Sequence, residues 1–381
     1  MINMAIKSQQ RNKQLQGWNS PKAIHPGAIL RDMLEEYNIT QKELGDRTGI
    51  SYKIINEIIN EKNPISYETA SKLSKVFDED LKFWIDLQKF YELNKTQKEQ
   101  SKKIAAETDK YINDTIHETY RQLVKHKLVK NYRWSKSNYE KIISELQEYF
   151  GTASLDYTKK TTLEAAFRKY KQEKVNQYTL AAWLRLGERK ASQTKTEPLN
   201  ESKLEKSLED IRSLSVKNPD DYLKELEEKL ASCGVVLTYA PYFKNTYAQG
   251  ATQWVNPEKA SIILKAENQS EDKVWFNLFH ELGHLLLHSK KELFVDFKKE
   301  GQKTKIEKEA DEFAEKHLIP NFEDLIEKYE GSSQIIEKIA NQLNIAESIV
   351  AGRISHRHKE NKSAWQMTSK YKPKINYTNI S

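Results

Sequence analysis

The stretch from residue 270 to residue 288, SEDKVWFNLFHELGHLLLH, constrains the fold of this chain most strongly. Its apolar residues recur at helical spacing and cover one broad side, while polar side chains that include histidines form a stripe on the other. Ser270 followed by two acidic residues is typical of a capped helix start. Because buried imidazoles need polar partners and a metal ion can supply one, the pattern predicts a buried helix that carries a metal site.

The stripe contains the ligand spacing of a zinc site. His280 and His284 are four residues apart, so their side chains point the same way, about 6 Å from each other, and both can bind one Zn²⁺. Glu281, beside them, is the predicted catalytic residue and would act as the general base. His288 lies ~12 Å from His280 along the helix axis and cannot share the ion unless the helix breaks.

A third protein ligand is expected from residues 304–320, TKIEKEADEFAEKHLIP. On a helical wheel, Glu307 and Asp311 fall within the inward-facing apolar arc. Glu307 is therefore the predicted third metal ligand, with Glu309 in reserve, and Asp311 is predicted to accept the ring N–H of a ligand histidine. An alternative stays open, because Thr304 and Glu307 also form the capping-box pattern of a helix start.

A second constellation lies at residues 41–60, QKELGDRTGISYKIINEIIN, and predicts a helix-turn-helix. Gly49 sits at the turn, where a positive φ is cheap only for glycine, and Ser51 can cap the second helix. Such a pair places its second helix in the major groove of DNA. Asn56 is the predicted base reader, and Gln41 is placed for a phosphate contact. The outward positions of the second helix are Ser51, Tyr52, Lys53, Asn56, Glu57 and Asn60.

Composition excludes several classes of protein. The chain has 381 residues, of which 10% are aromatic, too many for a disordered protein. Its one cysteine, Cys233, excludes an internal disulfide framework and a cysteine-cluster zinc site, and is expected in the core. No apolar run approaches the ~20 residues of a membrane span, and the start has no signal-peptide core. We therefore expect a cytoplasmic protein with no membrane partner.

The net charge of +7 is unevenly distributed. Residues 25–93 hold nine Lys and Arg against thirteen Asp and Glu, whereas residues 159–195 hold ten basic residues against three acidic ones. Both ends of the chain are basic. The N-terminal arm and the middle of the chain are therefore the regions expected to meet phosphate.

Residues 25–93 resemble the Xre-type helix-turn-helix of the HigA antitoxin family. The similarity lies in His25-Pro26-Gly27, in ISYKIINEIINEKNPIS (50–66) and in FWIDLQ (83–88). The resemblance implies a five-helix domain that forms a homodimer, binds double-stranded operator DNA and often pairs with a toxin protein. The acidic balance of this segment weakens non-specific attraction to phosphate.

The C-terminal half resembles the ImmA/IrrE family of metallopeptidases. The similarity covers VWFNLFHELGHLLLH (274–288), EKEADEFAEKHLIP (307–320) and IANQLNIAESIVAGRI (339–354), and more weakly 162–170 and 180–188. It implies a small twisted sheet against two metal-bearing helices, Zn²⁺ held by two histidines and a glutamate, and a DNA-binding regulator (a repressor) as the usual substrate. His317 departs from the family pattern and is expected to be packing or surface.

The expected fold class is mainly α with a small β-sheet (α+β): an N-terminal five-helix helix-turn-helix domain, a helical middle region and a C-terminal zincin-like domain. Strands are predicted at 235–239, 248–255 and 261–265, and helices at 26–37, 41–48, 51–60, 67–77, 81–91 and 203–231. The predicted divisions are a flexible basic tail at 1–22, the helix-turn-helix domain at 24–94, a helical connecting region with a linker at 95–200, the metallopeptidase domain at 201–330, a helical extension at 331–358 and a disordered tail at 359–381.

The leading hypothesis is a DNA-binding regulator or antitoxin of a toxin–antitoxin or stress-response locus, with a zinc metallopeptidase domain that cleaves a partner regulator. The alternative is a non-proteolytic antitoxin whose metal domain is structural or binds a partner. A weaker third reading is a general peptidase that uses its first domain only to dimerise. Tyr239 and Tyr247 are candidates for oxyanion stabilisation, whereas Trp134, Trp183 and Trp365 are expected to be packing residues.

Overall fold

The computed structural model describes residues 24–160, 175–265, 267, 269–288, 293–297, 304–330, 332, 334–358 and 368–375. The tail at 1–22, the motif at 162–170 and Trp365 lie outside the described residues. Contacts divide the chain into two compact units, residues 1–106 and 107–381. Among the described residues, no helix combines the length and apolar character that a bilayer crossing requires.

The first unit is built from helices, all of them predicted from the sequence. They are α1 (Pro26–Glu36), α2 (Gln41–Thr48), α3 (Tyr52–Ile59), α4 (Tyr67–Phe77) and α5 (Leu81–Tyr111), whose last five residues belong to the second unit. Leu44, Ile50, Ile55 and Ile58 are buried in one core cluster beneath α2 and α3, as their spacing predicts. The last helix continues well beyond its predicted end at residue 91.

Polar side chains begin these helices where the sequence changes character. His25 caps α1 by accepting a 3.0 Å hydrogen bond at Nδ1 from the Gly27 N–H. Thr40 and Ser66 cap α2 and α4 in the same way through their hydroxyl groups. These caps satisfy N–H groups that have no partner within the helix, so each helix starts at a defined residue.

The second unit combines helices with short strands. Its helices are α6 (Asp114–Lys125), α7 (Tyr139–Phe150), α8 (Leu155–Lys160), α9 (Gln177–Gln193), α10 (Glu201–Ser213), α11 (Pro219–Ala231), α12 (Glu271–Leu287), α13 (Lys305–Leu318), α14 (Phe322–Lys328), α15 (Ile335–Leu343) and α16 (Glu347–Arg357). Its strands are β1 (Val235–Ala240), β2 (Ala248–Asn256), β3 (Lys259–Lys265), β4 (Gln269–Ser270), β5 (Phe294–Phe297) and β6 (Lys374–Ile375). The α+β fold class is thereby confirmed.

The main sheet lies between two helices, α9 and α12. Its strand order is β1-β3-β2-β5, with β1 parallel to β3 and with β2 antiparallel to both of its neighbours. Gln253 donates to the Leu184 carbonyl of α9, whereas the adjacent Thr252 donates to Glu281 of α12. Because successive side chains of a strand point to opposite faces, the sheet presents Thr252 to the helix that carries the histidines.

The structure adds detail to two helical predictions. The segment 203–231 is helical, as predicted, and the 3₁₀ turn Leu214–Val216 and a proline that starts α11 divide it into α10 and α11. Ser270 occupies the N-cap position of α12 but makes no side-chain capping bond, and its backbone pairs with β6 as part of strand β4.

The linker expected within 191–202 is packed rather than free, so that prediction is wrong. The backbone N–H of Leu199 donates to Glu258, and that of Asn200 donates to Cys233, at 2.8 and 3.1 Å. The described residues 107–160 and 175–200 therefore belong to the same compact unit as the sheet rather than to a separate connecting region. The polar composition did not reveal this packing, because backbone hydrogen bonds, more than apolar side chains, hold the segment.

The C-terminal region expected to be disordered is ordered over residues 368–375. Thr368 is fully buried, and β6 pairs with β4. The Pro373 carbonyl accepts a 3.1 Å hydrogen bond from the Glu271 N–H, at the start of α12. The disorder prediction is therefore wrong here, because this segment supplies the partner for a helix-start N–H; the rest of 359–381 lies outside the described residues.

Candidate metal centre and helix-turn-helix

The side chains of His280, His284 and Glu307 converge between α12 and α13. The Nε2 atoms of the two histidines are 3.0 Å apart, and the Glu307 Oε2 lies 3.3 and 3.7 Å from them. Ligand atoms bound tetrahedrally at ~2.0–2.1 Å would be separated by about 3.3 Å. The three residues, exposed by 3%, 0% and 5%, therefore form a buried nitrogen and oxygen donor set that fits zinc.

Outer hydrogen bonds orient both imidazoles. The His280 Nδ1 lies 3.0 Å from Asp311 Oδ1, so the carboxylate can hold the ring with its Nε2 towards the cluster. On the other side, His284 Nδ1 lies 3.1 Å from His288 Nδ1, and His288 Nε2 lies 3.1 Å from Glu309. The structure thus places His288 and Glu309 behind His284, outside the group of converging ligand atoms.

Glu307 meets the capping-box pattern through its backbone, whereas its carboxylate lies with the histidines. Its backbone N–H donates a 3.3 Å hydrogen bond to the Thr304 hydroxyl, which caps α13. Its carboxylate is nevertheless buried and lies next to the histidines. The backbone N–H and the side chain act independently, so one residue can begin the helix and complete the donor set.

Glu281 lies beside the cluster and is completely buried. Its Oε2 accepts a 2.6 Å hydrogen bond from Thr252, whereas its Oε1 has no hydrogen-bond partner in the described part of the chain. Burial raises the pKa of Glu281 to about 8, against the opposing effects of His280 and of the Thr252 hydrogen bond. The carboxyl group therefore has one oxygen held and one oxygen available.

The protonation of the two histidines differs. Burial lowers the pKa of His284 to about 4, which keeps its imidazole neutral, as metal binding requires. Burial also lowers the pKa of His280, but the hydrogen bond to Glu307 and the nearby charges of Glu281 and Asp296 outweigh it and raise that pKa overall.

The sheet contributes residues that the sequence analysis missed. A Cβ at Gly250 would lie 2.3 Å from Glu281 Oε1, so only glycine leaves room for that carboxylate. Asp296, on the unpredicted strand β5, pairs with Gly250 and raises the pKa of Glu281. Nothing in the local sequence marks these residues, because their role depends on strand register. Tyr239 and Tyr247 were the candidates for oxyanion stabilisation. Tyr239 lies on β1, and β3 lies between that strand and β2. Tyr247 directly precedes β2 and has a φ of 54°.

In the first unit, α2 and α3 form the helix-turn-helix. Gly49 adopts a φ of 67°, and the Ser51 hydroxyl accepts a 3.4 Å hydrogen bond from the Ile54 N–H at the start of α3. A Cβ at Gly45 would lie 3.0 Å from the Ile50 carbonyl oxygen and 3.7 Å from Ile55 Cδ1, so α2 approaches the turn and α3 closely there. The turn therefore has the geometry that the sequence predicts.

The outward face of α3 is polar and accessible. Ser51, Tyr52, Lys53 and Asn60 are exposed, Tyr52 by 59%. Asn56 is half-buried and joins the two helices, since its Nδ2 donates a 3.3 Å hydrogen bond to Gln41 while its Oδ1 accepts from Asn60. This network orients the predicted base reader. Among the remaining predicted residues, Cys233 and Trp183 are buried, Trp134 stacks on the His117 ring, and the His317 ring lies tilted against Phe313.

Two family descriptions match this chain. The helix-turn-helix family matches residues 30–84, and the IrrE N-terminal-like domain family, Peptidase M78, matches residues 233–355. The chain belongs to the helix-turn-helix family and carries an IrrE N-terminal-like domain. The second match contains the histidines and Glu307, so the converging residues lie in a peptidase-family domain.

Individual relatives cover only the smaller part of this chain. Virulence-associated protein I of Dichelobacter nodosus is 33% identical over 85 residues, which are 22% of this chain and 79% of that protein. Among solved structures, the Pseudomonas aeruginosa antitoxin HigA with the higBA promoter is 33% identical, with 24% of this chain and 98% of that chain covered and a TM-score of 0.21. An addiction module antidote protein of the HigA family from Coxiella burnetii is 28% identical, with 24% and 97% covered and a TM-score of 0.21.

Proposed function

We propose that this chain is a DNA-binding transcriptional regulator whose second unit carries a zinc metallopeptidase site. The observation that carries the proposal is the convergence of His280, His284 and Glu307 beside the buried, half-partnered carboxyl group of Glu281. A metal site that only stabilised the fold would need the three ligands but not the neighbouring carboxyl group of Glu281.

In this proposal His280, His284 and Glu307 hold Zn²⁺, and Asp311 orients His280. When bound, the ion supplies a Lewis acid that polarises a peptide carbonyl and lowers the pKa of water. Glu281 takes the proton of the attacking water at Oε1, its unpartnered atom, and returns it to the leaving nitrogen of the cleaved peptide bond. The cationic charge of the ion favours the ionised carboxylate and so opposes the burial that raises its pKa.

For the first unit we propose binding of a double-stranded operator by α3. Asn56 would read a base edge, with Ser51, Tyr52, Lys53 and Asn60 around it and Gln41 on a phosphate. The HigA antitoxin above was solved with a promoter, which is consistent with this role. A homodimer on a palindromic site, a toxin partner and a repressor protein as substrate belong to the same proposal, as does a cytoplasmic location.

Metal content tests the site first. Zinc measured per purified chain should approach one for the wild type and fall close to zero for His284→Ala. The Glu312→Gln protein is the matched control, since Glu312 lies on the same helix but is exposed and outside the converging ligand atoms. A wild-type protein that binds no zinc would overturn the enzymatic proposal.

Proteolysis is tested by comparing new protein N-termini in cells that produce the wild type or Glu281→Gln. The variant should retain zinc and operator binding but lose the cleavage products, because glutamine cannot take up the proton. The same N-termini in both cultures would favour the non-proteolytic alternative.

A further inference from the structure

A groove of about 500 Å³ lies in the second unit, between α6 and the loop that follows it. We call it the α6 groove. Its principal lining residues are His117, Arg121, Lys125, Tyr132, Arg133 and Trp134. It belongs neither to the metal centre nor to the helix-turn-helix.

The α6 groove is positively charged, and its basic side chains are exposed and little neutralised by carboxylates. Arg121, Lys125 and Arg133 are exposed, and no acidic residue is among those that line the groove. Arg121 has only a 3.7 Å contact with Glu118, and neither Lys125 nor Arg133 forms an ion pair within the described ranges. Such unneutralised cations attract a polyanion.

Two of the four basic residues of 175–195, a region that the sequence marked for phosphate, are paired with carboxylates. Arg185 forms a 2.6 Å ion pair with Glu188, and Lys190 forms a 2.8 Å ion pair with Glu227. Their charge is largely neutralised by these carboxylates. Arg189 and Lys195 are exposed, and the Arg189 guanidinium lies over the Tyr149 ring. The α6 groove differs in bringing three exposed cations together with aromatic rings on one surface.

Aromatic rings form part of the groove wall and are held in place. The rings of Trp134 and His117 are stacked, with centroids 4.2 Å apart and planes inclined by 19°. The Tyr120 hydroxyl accepts a 2.6 Å hydrogen bond from the Tyr132 N–H and donates a 2.8 Å bond to the Lys130 carbonyl. These bonds fix the loop, so the groove is formed before any ligand arrives.

We propose that the α6 groove binds single-stranded nucleic acid. Arg121, Lys125 and Arg133 would contact consecutive phosphates, and a base would stack on Tyr132 or Trp134. The combination of free cations with half-buried rings matches the way proteins bind single strands without sequence preference. An acidic protein would use the charges but would not need the rings.

The test uses the full-length chain and a short fluorescent oligothymidylate, with binding followed by anisotropy over a range of salt concentrations. The triple variant Arg121→Ala, Lys125→Ala, Arg133→Ala should bind roughly 10- to 100-fold more weakly, and the slope of log K against log salt should fall by about 2. The matched control is the triple variant Lys206→Ala, Lys224→Ala, Lys316→Ala, which removes the same charge from exposed positions of the same unit. The control should bind like the wild type.

The contribution of the rings is tested with Tyr132→Leu and with inorganic polyphosphate, which has no bases. This variant should bind oligothymidylate about fivefold more weakly and polyphosphate unchanged. Equal binding by the two triple variants would overturn the proposal, as would polyglutamate binding as tightly as oligothymidylate. Loss of oligothymidylate binding in Lys53→Ala would also overturn it, by assigning the single strand to the first unit.

Discussion

Thr252 donates a 2.6 Å hydrogen bond from Oγ1 to Glu281 Oε2, and the same hydroxyl lies 3.1 Å from the Glu281 carbonyl oxygen. Both residues are fully buried. The contact joins β2 to α12 and decides which oxygen of the carboxyl group remains available. The sheet therefore orients the proposed general base, although the base itself lies on a helix.

Replacing Thr252 with valine should destabilise the protein by about 1–3 kcal/mol, because a buried carboxyl group loses its donor while the side-chain shape is nearly kept. Thr252→Ser keeps the hydroxyl and is the matched control. Chemical denaturation monitored by circular dichroism measures the free energy of unfolding. If the valine variant has the same free energy of unfolding as the serine variant, the hydrogen bond does not contribute to stability.

The contribution of Glu281 to the stability of the metal-free protein should fall as the pH rises from 4.5 to about 8. The unfolded chain ionises Glu281 at its ordinary pKa, whereas burial keeps the folded carboxyl group protonated up to about pH 8. Within this window the unfolded state binds fewer protons, so this residue lowers stability by roughly 1.4 kcal/mol per pH unit. Glu281→Gln lacks the titration, and its advantage over the wild type should grow with pH. A difference in the free energy of unfolding between the two proteins that stays constant with pH would contradict the raised pKa of the buried Glu281.

Asp311→Ala should weaken zinc binding by about 10- to 100-fold, because His280 loses the acceptor that orients its ring. Competition with a chelator of known affinity measures the change. Glu312→Ala is the control, since that carboxylate lies on the same helix but is exposed and outside the donor set. Equal affinities for the two variants would show that Asp311 does not support the site.

Gly27→Ala should disrupt the first unit far more than Gly49→Ala. A Cβ at Gly27 would lie 1.8 Å from the Ile58 carbonyl oxygen, whereas at Gly49 nothing lies within 4 Å and only the φ of 67° is unfavourable. The expected cost at Gly49 is about 1 kcal/mol. Hydrogen exchange of α1 to α4 measures both, and similar protection in the two variants would contradict this packing.

Asn56→Ala should reduce the preference for operator over unrelated duplex DNA, while Lys53→Ala should weaken binding to both and lower the salt slope by about 1. Electrophoretic mobility shifts at several salt concentrations separate the two effects. Lys75→Ala, an exposed charge on α4, serves as the control. Unchanged preference in Asn56→Ala would remove this residue as the base reader.

Local patterns were sufficient for much of the fold. The helices of the first unit follow from caps such as Thr40 and from the αL turn at Gly49, which act over three or four residues. The donor residues on α12 follow from a spacing of four within one helix. Each of these features depends on neighbours in sequence, which is why the chain alone reveals them.

Longer-range features could not be predicted in this way. The segment before α10 has the composition of a linker, yet its backbone bonds to Cys233 and Glu258 place it in the fold. Similarly, β6 is ordered because it pairs with β4, more than a hundred residues earlier. Composition reports solvation, but it does not reveal partners that are distant in sequence.

The amino-acid sequence alone determined the helix-turn-helix, the α+β class and the pair of histidines on one helix, because all three depend on local periodicity and capping. Only the tertiary structure decided that Glu307 meets those histidines, that Gly250 and Thr252 hold Glu281, and that the free cations near α6 share a groove with aromatic rings. The physical reason is that strand register and helix docking bring these residues together, and both depend on packing summed over the whole unit.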